Sequence, residues 1–331
     1  MTMKKISKAL FINFGGIGDE ILFLPTLQSF KNTYPDSEIT LVLEPRSKSI
    51  KDLSPIIDAV FPVNIKGRHK YFELIQFVFF AMFGKFDIVV SSGGNKLIPV
   101  LLFLTGIKTK AGFDTGNLSR RLLDYAVPLK KDVYAAKMYY ELVKPFSKDE
   151  AGLPCIKVPQ AEKEINSVVI HPGVSKMSVS KNMIKTYSTD KWTELINKIL
   201  SRGKKVYLAG GPDDIDYINA IAPNFADNTN FINCYGKTKN IFDLAKLIAS
   251  KEVLICCDSA PMHIGIAVGT RVLAIFGPTD EKKLIPNSDK VIAVTNKNCP
   301  CRPCLWEKRS TTCSSLDCLN IATEDFIDKI V

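Results

Sequence analysis

The sequence predicts an α/β protein built from two doubly wound domains. Three observations predict it. Short apolar runs alternate with segments of helical periodicity, which implies parallel strands with helices on both faces. The rhythm stops in a polar, proline-marked stretch and starts again near residue 167. Glycines and acidic residues cluster just after the strand-like runs, where open α/β sheets bind ligands.

In the first half, residues 8–14 (KALFINF) read as a strand. Residues 19–33 read as a helix with Ile21, Leu22, Leu24, Leu27 and Phe30 inward, stopped at Tyr34-Pro35. Strands follow at 37–45, 59–64 and 86–92, with a helix over about 70–83. The stretch 147–164, with Pro154 and Pro159, marks the boundary. The second half has strands at 167–173, 204–214 and 230–236 and helices at 189–202, 214–222 and 240–250; 252–270 then reads as strand, loop and helix, and 271–280 as strand and loop. This gives an N-terminal domain over 1–155, a C-terminal domain over 165–320, and a last helix at 321–331 expected to pack back on the first domain. Two Rossmann-like domains with a cleft between them follow from this pattern.

A chain of 331 residues with 46% hydrophobic and 24% charged residues is expected to be neither disordered nor fully membrane-embedded. The longest apolar stretches, 71–83 and 97–107, are shorter than the ~20 residues that span a bilayer. No secretory signal is visible, so a reduced, cytoplasmic chain is expected. The net charge of +10 is spread thinly: residues 1–155 hold 21 Lys+Arg against 15 Asp+Glu. It suits solubility or an anionic partner such as a phosphorylated glycolipid or membrane surface. Nucleic acid is not expected, because no dense basic stripe with interleaved aromatics appears. The helix 70–83 reads as a buried first-domain helix; the basic KGRHKYF beside it leaves a membrane-surface patch open.

Several post-strand loops carry the chemistry. GGIGDE (15–20) lacks the G-x-G-x-x-G spacing of a dinucleotide site, since the sixth position from Gly16 is Ile21. Its Asp19 suits either a helix N-terminus or a carboxylate held beside a glycine turn formed by Gly15, Gly16 and Gly18. In DSAPMH (258–263), Asp258 and Ser259 can cap a helix whose first N–H groups, from Ser259 to Met262, could hold a phosphate with His263 one turn in. FGPTD (276–280), with Gly277 and Thr279, ends the next strand at the same edge. The long loop after His171-Pro172-Gly173 carries Lys176, Lys181 and Lys185. In GGPDD (210–214), after Gly211, Asp213 and Asp214 are placed to accept from sugar or ribose hydroxyls.

With these motifs in view, the chain resembles glycosyltransferase family 9, the heptosyltransferases of lipopolysaccharide core assembly, over nearly its whole length. The resemblance rests on GGIGDEILFLPTLQSFKNTYP, IHPG, the lysine of KTYSTDKW, GGPDD and DSAPMHIGIAVGTRVLAIFGPTD. Ala260 stands where the family usually has Gly. The resemblance implies a GT-B fold and an inverting, metal-independent transfer requiring no cofactor. The donor would be a nucleotide sugar, typically ADP-heptose. The acceptor would be a lipid-linked oligosaccharide or lipid A-core at the inner face of the inner membrane, with peripheral contact there.

Carried over by motif, Asp19 matches the catalytic base and Lys185 the lysine that stabilises the diphosphate. Asp258 matches the donor-sugar contact, and Ser259, Ala260, Pro261, Met262 and His263 match the phosphate-binding helix start. His171, Gly173, Gly211, Asp213, Asp214, Gly277 and Thr279 complete the expected donor side, and Gly15, Gly16 and Gly18 the acceptor side. Two rivals are a catalytically silent nucleotide-sugar-binding homologue, which should lack the base, and an NAD-dependent oxidoreductase, which should show the full glycine fingerprint.

Nine cysteines are present. Cys155, Cys234, Cys256 and Cys257 read as small buried residues. Five crowd residues 299–318, where Cys301, Cys304, Cys313 and Cys318 suit a structural zinc site, a disulfide clip or plain thiols.

Overall fold

A computed structural model describes residues 5–147, 149–150, 152–159, 162–305, 313 and 315–330. The chain divides into two compact units, residues 1–155 and 156–331.

The first unit runs β1 (Lys8–Asn13), α1 (Ile17–Thr33), β2 (Glu38–Leu43), α2 (Ile50–Leu53), β3 (Ala59–Pro62), α3 (Lys70–Phe83) and β4 (Ile88–Ser91). It continues through α4 (Ile98–Leu104), β5 (Thr109–Asp114), α5 (Asn117–Leu122), β6 (Tyr125–Pro128) and α6 (Ala135–Tyr140). Its strands form a parallel sheet of order β3-β2-β1-β4-β5-β6. The chain winds outward from β1 to one edge, then crosses to β4 on its other side. The topological switch point therefore lies between β1 and β4, where the following loops diverge and leave a ligand crevice.

Helix α1 is buried on every side from Glu20 to Leu27. One side meets the sheet, with Phe11 against Phe23 and Phe30. Another meets the α6 region, where Leu22 packs with Tyr134, Ala135 and Ala136. This explains why its apolar residues exceed a single stripe.

Helix α3 departs from the expected buried helix. Its fully buried residues are Phe77 and Ala81, one turn apart, while Tyr71, Phe72, Ile75, Phe79, Met82 and Phe83 are exposed. Apolar residues occur all around this helix, and a sheet can cover only one side of it.

The second unit runs β7 (Glu164–His171), α7 (Lys176–Ser180), α8 (Thr189–Ser201), β8 (Lys205–Leu208), α9 (Ile215–Ile221), β9 (Phe231–Asn233) and α10 (Ile241–Ala249). Then come β10 (Lys251–Cys257), α11 (Ala260–Ala267), β11 (Arg271–Ile275), α12 (Glu281–Leu284), β12 (Val291–Val294) and α13 (Glu324–Ile327). The parallel sheet has order β12-β11-β10-β7-β8-β9, with its switch point between β7 and β10.

The last helix, expected to pack back on the first domain, supplies side chains to the second unit. Phe326, Ile327 and Ile330 of the α13 region fill the second unit's own core. Phe326 meets the Tyr187 ring edge-on at 6.1 Å, and the Tyr187 hydroxyl donates to Ile321 O at 2.9 Å. These side chains find an apolar pocket formed by the α8 side of the same sheet.

Candidate functional site

In the first unit the candidate residues stand at the switch point. Gly16 precedes α1 with extended backbone, and its N–H donates to Asp19 Oδ2 at 2.8 Å. Asp19 thus caps its own helix from the third position, where the positive end of the helix dipole favours a carboxylate. Gly18 lies in the same first turn, half-buried. A methyl at Gly15 would fall 2.2 Å from Asp19 Cβ. The glycine therefore clears space for Asp19 itself.

Behind Asp19 lies Glu20, fully buried. Asn13 Nδ2 donates to Glu20 Oε2 at 3.2 Å, and Oε1 has no partner. Burial, reinforced by the Asp19 charge, pushes the Glu20 carboxyl well above the usual carboxylate range. Tyr139 is half-buried alongside; loss of solvent first, then the Asp19 and Glu20 charges, push its phenol well above the usual tyrosine range.

The loop after β2 adds residues not singled out from the sequence. Arg46 Nη1 lies 3.5 Å from where a Gly16 methyl would sit, and Ser47 Oγ donates to Gly15 O at 3.1 Å. Buried Glu44 holds Arg46 at 3.2 Å and Lys66 at 2.8 Å. The post-strand position of EPRS was the available signal for Arg46.

In the second unit, the loops after β11, β10, β7 and β8 all leave one edge of four adjacent parallel strands. Across the switch point, Lys185 Nζ lies 3.1 Å from Asp258 Oδ2. Lys185 is positioned by the two residues after it. Thr186 Oγ1 donates to Pro172 O at 2.5 Å and accepts from Trp192 Nε1 at 3.1 Å, while Tyr187 is buried in the core. Ser188 then caps α8. Asp258 directly follows β10, its N–H bonded to Ile275 O at 3.2 Å. Burial pushes its carboxyl up, but the charges of Lys185 and His263 together with the Lys185 hydrogen bond hold it below the usual range.

Ser259 caps α11 with extended backbone, and its Oγ turns back to Cys257 O. The Met262 N–H is taken by Ser259 O at 3.1 Å, and Pro261 has none. The N–H groups of Ser259 and Ala260 stand outside the helical ladder. Met262 and His263 are buried one turn in.

Other expected donor residues serve the scaffold. One of these is Asp214. It is buried, accepts the Gly211 N–H at 2.7 Å, and stands 3.5 Å from His171 Nε2. A methyl at Gly173 would lie 1.7 Å from Asp214 Oδ1, so this glycine is required by the aspartate above it. Burial, partly offset by the Asp214 charge, lowers the affinity of His171 for a proton. Asp213 Oδ2 accepts the Lys176 N–H at 3.2 Å. The acid pair thus ties the loop after β8 to the loop after β7.

Gly277 lies under Leu319, whose Cδ2 would be 2.5 Å from an added methyl. Its carbonyl accepts Arg302 Nε at 2.8 Å, and Thr279 O accepts Arg302 Nη2 at 3.3 Å. Arg302 also pairs with Glu281 at 2.8 Å. The N–H groups of Cys304 and Leu305 donate to Pro278 O. The cysteine segment therefore braces the FGPTD loop, a link the sequence does not signal because some 25 residues separate the two.

Among the described residues, no three or more His, Cys, Asp or Glu side chains are grouped to hold a metal ion. A four-thiolate site is one of three readings for Cys301, Cys304, Cys313 and Cys318, and these four are not so grouped; Cys301 Sγ lies 3.3 Å from Cys299 Sγ. Cys155, expected to be buried, is exposed because it lies in the inter-unit stretch outside either core.

The chain is similar to known proteins over most of its length. The model of glycosyltransferase family 9 (heptosyltransferase) matches residues 83–314. Lipopolysaccharide heptosyltransferase 3 of Escherichia coli is 25% identical over 291 residues, covering 83% of this chain and 85% of that protein. A glycosyl transferase family 9 structure from Veillonella parvula superposes with a TM-score of 0.75 at 20% identity, over 99% of this chain and 97% of that one. The E. coli ADP-heptose lps heptosyltransferase II gives 0.73 at 17%, over 98% and 97%. The fold is GT-B, and the chain belongs to glycosyltransferase family 9, the heptosyltransferase family, and is a glycosyltransferase enzyme.

Proposed function

We propose that this enzyme is an inverting, metal-independent transferase that moves heptose from ADP-heptose to a lipopolysaccharide-core or related lipid-linked acceptor at the cytoplasmic face of the inner membrane. The observation that carries the donor side is the Lys185–Asp258 pair, set at a topological switch point beside the start of α11. Such crevices take nucleotides in open α/β sheets. The names of the relatives, a lipopolysaccharide heptosyltransferase and an ADP-heptose lps heptosyltransferase, support the choice of sugar and acceptor.

In this reading the leaving diphosphate meets the N–H groups of Ser259 and Ala260 and the ammonium of Lys185. Fixed positive charge there stabilises the departing anion without reorganisation. Asp258 contacts the donor sugar while holding Lys185 in place. The first unit binds the acceptor, and Asp19 takes the proton from the attacking hydroxyl, a step worth ~10²–10⁴-fold. Its Oδ2 is occupied by the Gly16 N–H, which leaves Oδ1 for the substrate.

Calorimetry with ADP-heptose, ADP-, GDP- and UDP-hexoses and NAD, followed by turnover with a core acceptor, tests the reading. Tight binding of ADP-heptose with transfer supports it. Binding of NAD alone overturns it, and sugar binding without transfer identifies a silent homologue.

A further inference from the structure

We infer that the face formed by α3 and α4 of the first unit docks on an anionic phospholipid bilayer. Tyr71, Phe72, Ile75, Phe79, Met82 and Phe83 of α3 are exposed, Phe83 to 75%. Leu97, Phe103 and Leu104, in and beside α4, extend the face. Between the helices lies an apolar groove of about 550 Å³, lined by Phe14, Ile65, Leu74, Val78, Leu97 and Leu101 among others. Exposed apolar surface of this extent marks an interaction site. No helix among the described residues is long and apolar enough to cross a membrane, so this face would lie on a bilayer.

Charge identifies the partner. Residues 64–108 carry six cations, Lys66, Arg68, Lys70, Lys85, Lys96 and Lys108, against the carboxylates Glu73 and Asp87. Both carboxylates are occupied: Glu73 accepts the Asn64 N–H, and Asp87 accepts the Ser7 and Lys8 N–H groups. Lys66 pairs with Glu44, and the Lys70 ammonium lies over the Tyr71 ring. Arg68, Lys85, Lys96 and Lys108 are exposed, placed just before and after the two helices. An aromatic face rimmed by cations fits anionic headgroups above acyl chains. A second copy fits less well, because a twofold contact would set the same cations against each other.

Phe14, Ile65 and Asn95 follow β1, β3 and β4, so the groove opens at the sheet edge that carries Asp19. Docking here would hold the acceptor loop at the lipid surface. That purpose rests on the proposed lipid-linked acceptor, although the binding itself does not.

The test is flotation of the purified protein with vesicles of phosphatidylethanolamine and phosphatidylglycerol, against vesicles of phosphatidylcholine alone, without donor or acceptor. The protein should float with the anionic vesicles and be released by salt. Replacing Lys85, Lys96 and Lys108 together by Ala should weaken partitioning about a hundredfold, at about fivefold per lysine. Phe79→Ser with Phe83→Ser, both at exposed positions, should also abolish flotation. Failure to float, or flotation indifferent to the lysines, overturns the inference. So does a wild-type dimer by light scattering that the phenylalanine changes dissociate. A protein that floats but transfers no sugar refutes the transfer reading alone. One that glycosylates a deacylated acceptor yet ignores anionic vesicles refutes docking alone.

Discussion

Lys185 Nζ and Asp258 Oδ2 meet at 3.1 Å between the loops that follow β7 and β10, two strands adjacent in the sheet but 80 residues apart in sequence. Asp258 is buried, so removing its partner leaves an uncompensated carboxylate. Lys185→Met should cost about 3–5 kcal/mol of stability and about 10²–10³ in turnover. Thermal unfolding and single-turnover assays check both. Asp258 is held below its unfolded value, so its stabilising contribution is present above the usual carboxylate range and lost as pH falls through the lowered value. That acid sensitivity should shrink in Lys185→Met.

Asp19→Asn separates helix capping from catalysis. The amide oxygen can still accept the Gly16 N–H, so stability should change little. Turnover should fall about 10²–10⁴-fold if the carboxylate removes the acceptor proton. Asp19→Ala should lose the same activity and about 1 kcal/mol of stability besides. Full turnover by Asp19→Asn would leave the residue as a cap alone.

Glu20→Gln should stabilise the protein at neutral pH. The Glu20 carboxyl is held above its unfolded value, so its favourable contribution is complete below the unfolded value and is lost as pH rises through the folded one. The melting-temperature gap between variant and wild type should therefore widen from pH 5 to pH 8. A gap that does not vary with pH would show that Glu20 titrates normally.

Gly173→Ala places a methyl 1.7 Å from Asp214 Oδ1 and should destabilise the second unit by about 1–3 kcal/mol or more. Adding Asp214→Ala should recover part of that loss, because the two substitutions share one space. Denaturant unfolding of the four-member cycle measures the coupling, and strict additivity would refute the clash.

Arg302→Ala should raise the KM for the donor more than it lowers kcat. The guanidinium holds the carbonyls of Gly277 and Thr279 and does not belong to the proposed reacting set. Steady-state kinetics with varied donor decides it.

The strand positions were legible because parallel strands buried on both faces read as apolar runs, as β1 and β10 do. The post-strand placement of Asp19, Lys185 and the DSAPMH turn was legible for the same reason. Less was visible where apolar content does not reveal its surroundings. Helix α3 is as apolar as a core helix, yet most of its aromatic residues face outward. The acidic pair of GGPDD has the residue types of a hydroxyl-binding loop, but Asp214 is turned inward against Gly173 and toward His171.

By itself, the sequence determined the doubly wound plan and the edges at which chemistry could sit, because both follow from local periodicity and from turns that end strands. Tertiary structure alone decided which polar groups reach one another. It brought Lys185 to Asp258, set Glu20 behind Asp19, laid Arg302 under the FGPTD loop and returned α13 to the second core. Those pairings depend on strand order and burial, which bring together residues far apart in the chain and set the cost of leaving a charge unpaired.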